Sequence, residues 1–391
     1  MSASAAPPMQ GMRDELRGSL DLPRVLGDVT GARPGPTIVL TGALHGNEPA
    51  GALAIRRVLA ELAERRERLA GRIVGLCGNR AAVGAGKRFS VRDLNRRWYP
   101  ADLARLADAP VESLRDEDLE QRELADAIGE LERSGPLAIL DLHTTSGASP
   151  PFVCFGDTLE NRRVARALPM TAILGLEEII DGAMLGYYAD RGHVAISVEA
   201  GQHRDRRTIA RHEATVWVAL TALGALREDE VPELDAHRTL LAEASKGQPA
   251  VVEIRHRHVV LPGDDFRMLP GFTSFQEIRE GEVVAHDRSG PVRAPLSGMM
   301  LMPRYQGQGE DGYFLVRETR PFWLWVSEKL RLANADRVIA HMPGVAPEEA
   351  RNRLTVDPKV ARAFVVDLMH LCGYRRGRDR AGKLSFTRRA R

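Results

Sequence analysis

The chain is poor in cysteine and in net charge, and it contains no long apolar run. Three cysteines (Cys77, Cys154 and Cys372) in 391 residues are too few and too scattered for a disulfide framework. They read as buried structural thiols in a reducing, cytoplasmic setting. No apolar run approaches the roughly 18 residues that cross a membrane. Met1–Gln10 is rich in Ala, Ser and Pro and lacks the apolar segment of a secretory signal. A formal charge of +2 argues against a globally basic nucleic-acid binder. Several catalytic signatures are also missing. There is no GxSxG nucleophile elbow and no HExxH, and none of the cysteines sits in a recognisable Cys/His nucleophile motif.

What is present is ordinary for a soluble globular protein: 43% hydrophobic and 28% charged residues. That balance excludes collagen, wholesale disorder and a disulfide-stapled miniprotein. The length suits one large domain with additions. The charge is uneven. Arg375–Arg391 holds eight basic residues and one acid, a local +7, so residues 1–374 carry about −5. This tail reads either as a solvated, partly disordered terminus or as an arm for polyanions. The first reading is preferred, because no nucleic-acid module accompanies the tail.

Up to about residue 226, short apolar runs alternate with longer amphipathic ones. Strands are predicted at Thr37–Thr41, Arg72–Cys77, Leu137–Leu142, Phe152–Phe155 and Val194–Val198. Helices are predicted at Pro49–Leu69, Asp116–Arg133, Leu159–Leu168 and Arg207–Leu226. The alternation predicts an α/β domain with a mostly parallel sheet covered by helices on both faces. From Gln248 to Glu318 short strands separated by Gly and Pro predict a small all-β domain. Beyond Pro321 helices are expected at Phe322–Leu332 and Pro358–Cys372, followed by the basic tail. The expected division is 1–228, 229–320 and 321–391.

Two glycine-rich stretches are set aside. Gly307–Gly312 spells GxGxxG but lies in the β-rich region, with no strand–turn–helix context for a dinucleotide. Gly84-Ala85-Gly86-Lys87 lacks the spacing and the Ser or Thr of a P-loop.

Four other segments carry chemistry. In Gly42–Glu48, directly after a strand, His45 and Glu48 are three apart, as ligands on one turn would be. Asp141–Thr145 closes another strand with His143. Two His and a Glu leave a fourth position open, as catalytic zinc requires. An isolated HxxE, however, is more often a surface pair. The third segment, Arg88–Arg96, reads by itself as a solvated basic loop. In the fourth, Ser197–His203, Glu199 ends an apolar strand, and a buried strand seldom ends in an unpaired carboxylate. His203 either lines a site or bonds a loop. Trp323 and Trp325 are expected to pack the C-terminal helices.

Together these segments resemble the succinylglutamate desuccinylase/aspartoacylase family, a branch of the zinc carboxypeptidase fold. The match is to HGNE, to R-x6-N-R closing in RDLNR, to DLHTT and to E-x-G-Q, in family order, over about residues 35–320. The resemblance implies one zinc ion per chain on His45, Glu48 and His143, with Glu199 as general base. It implies that Arg88 polarises the scissile carbonyl and that Asn95 and Arg96 hold the amino-acid carboxylate. Tyr313 and Arg191 would contact substrate. The implied activity is that of a zinc-dependent amidohydrolase, cleaving the amide bond of a small N-acyl amino acid. A metallocarboxypeptidase acting on peptides and an inactive metal-binding homologue are the alternatives. The implied partner is the small-molecule substrate. No membrane and no nucleic acid is expected, and a homo-oligomer is left open.

Overall fold

Alternating apolar residues give each central strand two buried faces, and this alternation decides where every polar side chain at a strand end points. The computed structural model describes residues 22–335, 339, 341–347, 353–357, 364–376 and 384–388. Met1–Gln10, the first part of the helix expected from Pro358 and the rest of the basic tail lie outside the described residues. The first part of the chain forms β1 (Val25–Thr30), β2 (Arg33–Gly42), α1 (Ala50–Glu64), β3 (Ala70–Cys77), α2 (Arg80–Ala85), α3 (Pro100–Asp108), α4 (Asp116–Glu132) and β4 (Leu137–Thr145). It continues through β5 (Phe152–Phe155), α5 (Leu159–Ala167), β6 (Thr171–Leu174), α6 (Leu176–Ile179), α7 (Met184–Asp190), β7 (Val194–Gln202), α8 (Arg207–Ala222) and α9 (Leu234–Ala244).

The sheet order begins β1-β3-β2-β4-β7-β5-β6. Strands β3, β2, β4 and β7 run parallel, and β5 is antiparallel to β7. Period-2 alternation splits the core in two. Ile38, Leu40, Leu140, Leu142, Ile196 and Val198 face α1 and α8 on one side. Val39, Leu137 and Ile139 face α4, α7 and Trp98 on the other. Helix α1 buries Ile55, Val58, Leu59 and Leu62, each contributing about 1.5–3 kcal/mol by area. By the same parity Thr41, Asp141, His143 and Glu199 share the face of Val39 and Ile139.

The next elements are β8 (Val251–Val259), β9 (Arg267–Met268), β10 (Glu277–Ile278), β11 (Val283–Asp287), β12 (Gly290–Arg293), β13 (Gly298–Leu301) and β14 (Asp311–Glu318). Strands β8, β14, β13 and β10 extend the main sheet to eleven strands, and β12-β11-β9 form a second, smaller sheet. The link is the parallel pairing of β6 with β8. Short strands are present across this region, but Val251–Val259 is one strand where two, Ala250–Ile254 and Val259–Leu261, are expected. The Gly307–Gly312 stretch runs from the β13–β14 connection into the first residues of β14, with no helix directly after it.

The extension comprises α10 (Pro321–Leu332), β15 (Val345–Pro347), β16 (Arg353–Val356), α11 (Phe364–Leu371), β17 (Tyr374–Arg376) and β18 (Leu384–Arg388). The expected helices are there. In addition, a four-stranded antiparallel sheet, β15-β16-β18-β17, takes in part of the tail that reads as solvated. Trp323 and Trp325 do not pack the helices: they are 49% and 54% exposed. All three cysteines are buried. Burial pushes the Cys77 thiol up to about 12, so it is held in the unreactive form. Among the described residues, no helix is long and apolar enough to cross a membrane.

Candidate metal centre and substrate cleft

Strands β3 and β4 flank β2 on opposite sides, so the chain leaves β2 in one direction and returns in the other. The crevice beyond the carboxyl ends of such strands is where α/β sheets bind ligands. His45 and Glu48 follow β2, and His143 comes from the end of β4. All three are buried. The turn after β2 needs unusual backbone. Ala43 adopts φ 57°, and a Cβ on Gly46 would lie 2.1 Å from the Ala82 backbone. The glycine of HGNE is therefore set by the close approach of α2.

The three side chains converge. His45 Nδ1 lies 3.0 Å from Glu48 Oε1 and His143 Nδ1 lies 2.9 Å from Glu48 Oε2. The opposite ring nitrogens are each held by a carboxylate: His45 Nε2 by Asp93 at 3.1 Å and His143 Nε2 by Asp141 at 2.7 Å. An Nε2–H donated to a carboxylate leaves the Nδ1 lone pair free for a metal and raises its basicity. Thr41 donates to Asp141 at 2.7 Å, and the Thr144 amide donates to Glu48 Oε2 at 3.0 Å. The ligand atoms of His45, Glu48 and His143 all lie within 4.8 Å of one another, so the group can hold a metal ion.

The electrostatics also favour a cation. Burial alone would neutralise Glu48, but the two imidazoles outweigh it and hold its carboxyl well below the usual range. Burial disfavours charge on His143, yet Asp141 and Glu48 raise its pKa. Two nitrogens and a carboxylate, with two further carboxylates behind them, are a donor set suited to zinc.

Glu199 stands at the same register as His143 on the neighbouring strand. Burial pushes its carboxyl up to about 8, with His143 opposing and Glu48 adding to the shift. Its Oε2 has no hydrogen-bond partner among the described residues. Gly201, two residues on, turns the chain with φ 122°.

Arg88 is not on a solvated loop. It donates from Nε to Asp93 at 3.0 Å and from Nη1 to Glu48 at 3.4 Å. Burial works against its charge, and Asp93, Glu48 and Asp311 outweigh it. The loop is held by the Glu117 carboxylate, which accepts from the Ser90, Val91 and Arg92 amides at 2.6, 2.9 and 3.2 Å. From the other side, Gln308 accepts from the Arg88 amide and donates to the Phe89 carbonyl. Gln306, also on the β13–β14 connection, accepts from Asn47 at 2.8 Å and lies 3.2 Å from His203 Nε2. His203 Nδ1 is 2.7 Å from Thr144 Oγ1, so His203 both lines the cleft and ties down the connection.

Asn95 accepts from the Met184 amide through Oδ1, and Arg96 donates to Asp311 at 2.6 Å. Both line one cavity of about 600 Å³ with His45, Glu48, Arg88, His143 and Glu199. Arg191 also lines this cavity, with its guanidinium committed to Glu132 at 2.6 and 2.9 Å. Tyr313 does not reach the cleft. The pleat of β14 turns Phe314 into the cavity and buries Tyr313 against His258, rings stacked at 5.1 Å. A one-residue difference in strand position decides the face. His193, without an expected role, accepts from the Leu137 amide and meets Glu132.

Asp93, Glu117, Gln306 and Gln308 were not singled out from sequence. Asp93 lies within the quoted RDLNR, and only its neighbourhood to His45, 48 residues away, reveals its part.

Residues 34–222, just under half of the chain, match the succinylglutamate desuccinylase/aspartoacylase catalytic domain, and this stretch is similar to that family. A curated relative, the succinylglutamate desuccinylase of Yersinia enterocolitica serotype O:8 / biotype 1B, is 32% identical over 111 residues. That match spans 28% of this chain and about a third (32%) of the relative. Among solved structures, a succinylglutamate desuccinylase/aspartoacylase from Rhodobacter sphaeroides superposes with a TM-score of 0.54 at 19% identity, covering 75% of this chain and 88% of that one. The product-bound ectoine utilization protein EutE (DoeB) from Ruegeria pomeroyi gives 0.50 at 20% identity, over 74% and 86%. At these identities the likeness shows a shared fold.

Proposed function

We propose that the protein is a zinc-dependent amidohydrolase that cleaves a small N-acyl amino acid into a carboxylate and an amino acid. The observation that carries this reading is the convergence of His45 Nδ1, His143 Nδ1 and the Glu48 carboxylate, with the unpartnered oxygen of Glu199 beside them. A zinc ion held by His45, Glu48 and His143 would supply an acidified water and polarise the scissile carbonyl. Glu199 is the general base, and its carboxyl then passes the proton to the leaving amine. Arg88, fixed by Asp93, offers donors to the developing oxyanion. Arg96 suits the amino-acid carboxylate through its planar fork, with Asn95 orienting it. Catalysis belongs to the unit 1–228, narrowed by 229–320 and flanked by 321–391. Three buried thiols suit a cytoplasmic setting.

The test is a hydrolysis screen on zinc-loaded protein, with N-acyl amino acids beside short peptides. Release of free amino acid from the acyl series alone supports the reading. Turnover of peptides alone replaces it with a carboxypeptidase. No turnover of either by protein with a full complement of zinc overturns it.

A further inference from the structure

The cavity that holds the metal ligands is also bordered by Arg353, Arg375, Thr387 and Arg388 of the extension. Three of these stand in one line. Thr387 on β18 is opposite Arg353 on β16 and opposite Arg375 on β17. Directly opposed residues share a face, with strands about 4.8 Å apart. The other face is apolar: Leu354, Val356, Phe386 and Tyr374 form a separate core with Met369 and Cys372. The small sheet therefore turns a polar face carrying two arginines towards the cleft.

That face is fixed in place. Asp157, after β5, takes Arg162 Nη2 at 2.8 Å and Arg331 Nη2 at 2.5 Å. Arg162 also donates to the Leu324 carbonyl and to Ser327 Oγ, both at 3.0 Å. Ser327 in turn donates to the Leu371 carbonyl. These buried contacts seat α10 on α5 and join α10 to α11. Three carboxylates of the opposite wall, Glu177, Asp181 and Asp190, border the same space. Asp190 meets Arg375 at 3.3 Å with its side chain 68% exposed, a pair weak enough for a substrate anion to compete with. Arg353 is exposed and has no ion-pair partner among the described residues. A cavity of about 600 Å³ falls within the about 300–1,000 Å³ that accommodates drug-sized ligands.

Resting on the hydrolase reading above, we propose that the extension supplies an anion subsite to the cleft. In it Arg353 and Arg375, with Thr387 between them, bind an acidic group at the acyl end of the substrate.

The test compares full-length wild type with the double variant Arg353→Gln/Arg375→Gln. Substrates are matched acyl pairs on one amino acid: succinyl with butanoyl, adipoyl with hexanoyl, suberoyl with octanoyl, and a phosphate-bearing acyl group. The wild type should favour a diacid over its neutral-ended partner by about tenfold in kcat/KM. The variant should lose that preference, its kcat/KM on the diacid falling to that on the neutral-ended partner. Adipoyl or suberoyl against phosphoacyl rates separate a carboxylate from a phosphate as the bound group. Equal preference in both proteins, or none in the wild type, overturns the proposal. So does a variant with a lowered melting temperature and unchanged preference, which makes the arginines docking groups. Calorimetric titration with suberate and octanoate keeps the two readings apart. Suberate binding that depends on both arginines, in a protein that hydrolyses nothing, sustains the subsite and removes the hydrolase. Hydrolysis with arginine-independent suberate binding does the reverse.

Discussion

His143 and Glu199 occupy the same register position on adjacent parallel strands, facing the same side of the sheet. A ligand imidazole and the carboxylate proposed as base are thus neighbours by backbone hydrogen bonding, without any loop between them. Strand-borne groups are held more tightly than loop-borne ones, so the reacting geometry depends on the β4–β7 ladder.

Replacing Glu199 by Gln removes the proposed base and leaves His45, Glu48 and His143 untouched. The expected loss in kcat is about 10²–10⁴, with zinc content by elemental analysis unchanged. An active E199Q variant takes Glu199 out of the reaction.

Asp93 acts through His45. D93N should weaken zinc affinity about 10–100-fold, measured by competition with a chelator. An unaltered affinity leaves Asp93 as a partner of Arg88 alone.

Arg88→Ala should lower kcat by about 10²–10³, with KM for a good N-acyl amino acid little changed. A rise in KM alone would place Arg88 in ground-state binding.

Glu117 accepts three amides of the loop that carries Arg88. Burial tends to raise its pKa, but the Ser90 amide, Asn79 and the other two amides outweigh it, so the folded value is lowered. A lowered folded pKa means the carboxylate's contribution is fully present above the unfolded value of about 4.3. It is lost as the pH falls through the folded value. E117Q should therefore be less stable at pH 7 and should show a flatter loss of stability below about pH 4. Urea midpoints across pH check both, and parallel curves for wild type and variant refute the assignment.

Asp157 lies between two buried arginines, Arg162 and Arg331. D157N removes the carboxylate that both buried cations share, a defect of about 3–5 kcal/mol. Hydrogen exchange should show lost protection in Phe364–Leu371 and Tyr374–Arg376 before the main sheet is affected. Uniform loss across the chain would mean that the extension does not open separately.

The parallel core and the His45–Glu48 half of the candidate metal cluster were legible because each is local. Apolar runs such as Leu137–Leu142 announce buried strands, and HGNE places two ligands within one turn. Asp93 was in view without its role, because its contact to His45 exists only after the chain folds back. Tyr313 was misplaced for a matter of parity: spacing from Glu310 does not say which face of β14 a residue takes. The last strand was hidden by composition. Leu384-Ser385-Phe386-Thr387-Arg388 alternates like a strand, but the arginines around it read as a solvated tail.

The three thiols fall in three different cores. Cys77 lies beside α1, Cys154 lies with Phe152 and Phe314 at the wall of the cleft, and Cys372 lies inside the extension. Cys77 and Cys372 react with a bulky reagent only when their own cores breathe, whereas Cys154 is approached through the cleft, so the labelling rates of the three form a built-in record of opening. Mass spectrometry after brief exposure to a maleimide would read that record in order, showing which part of the protein loosens first.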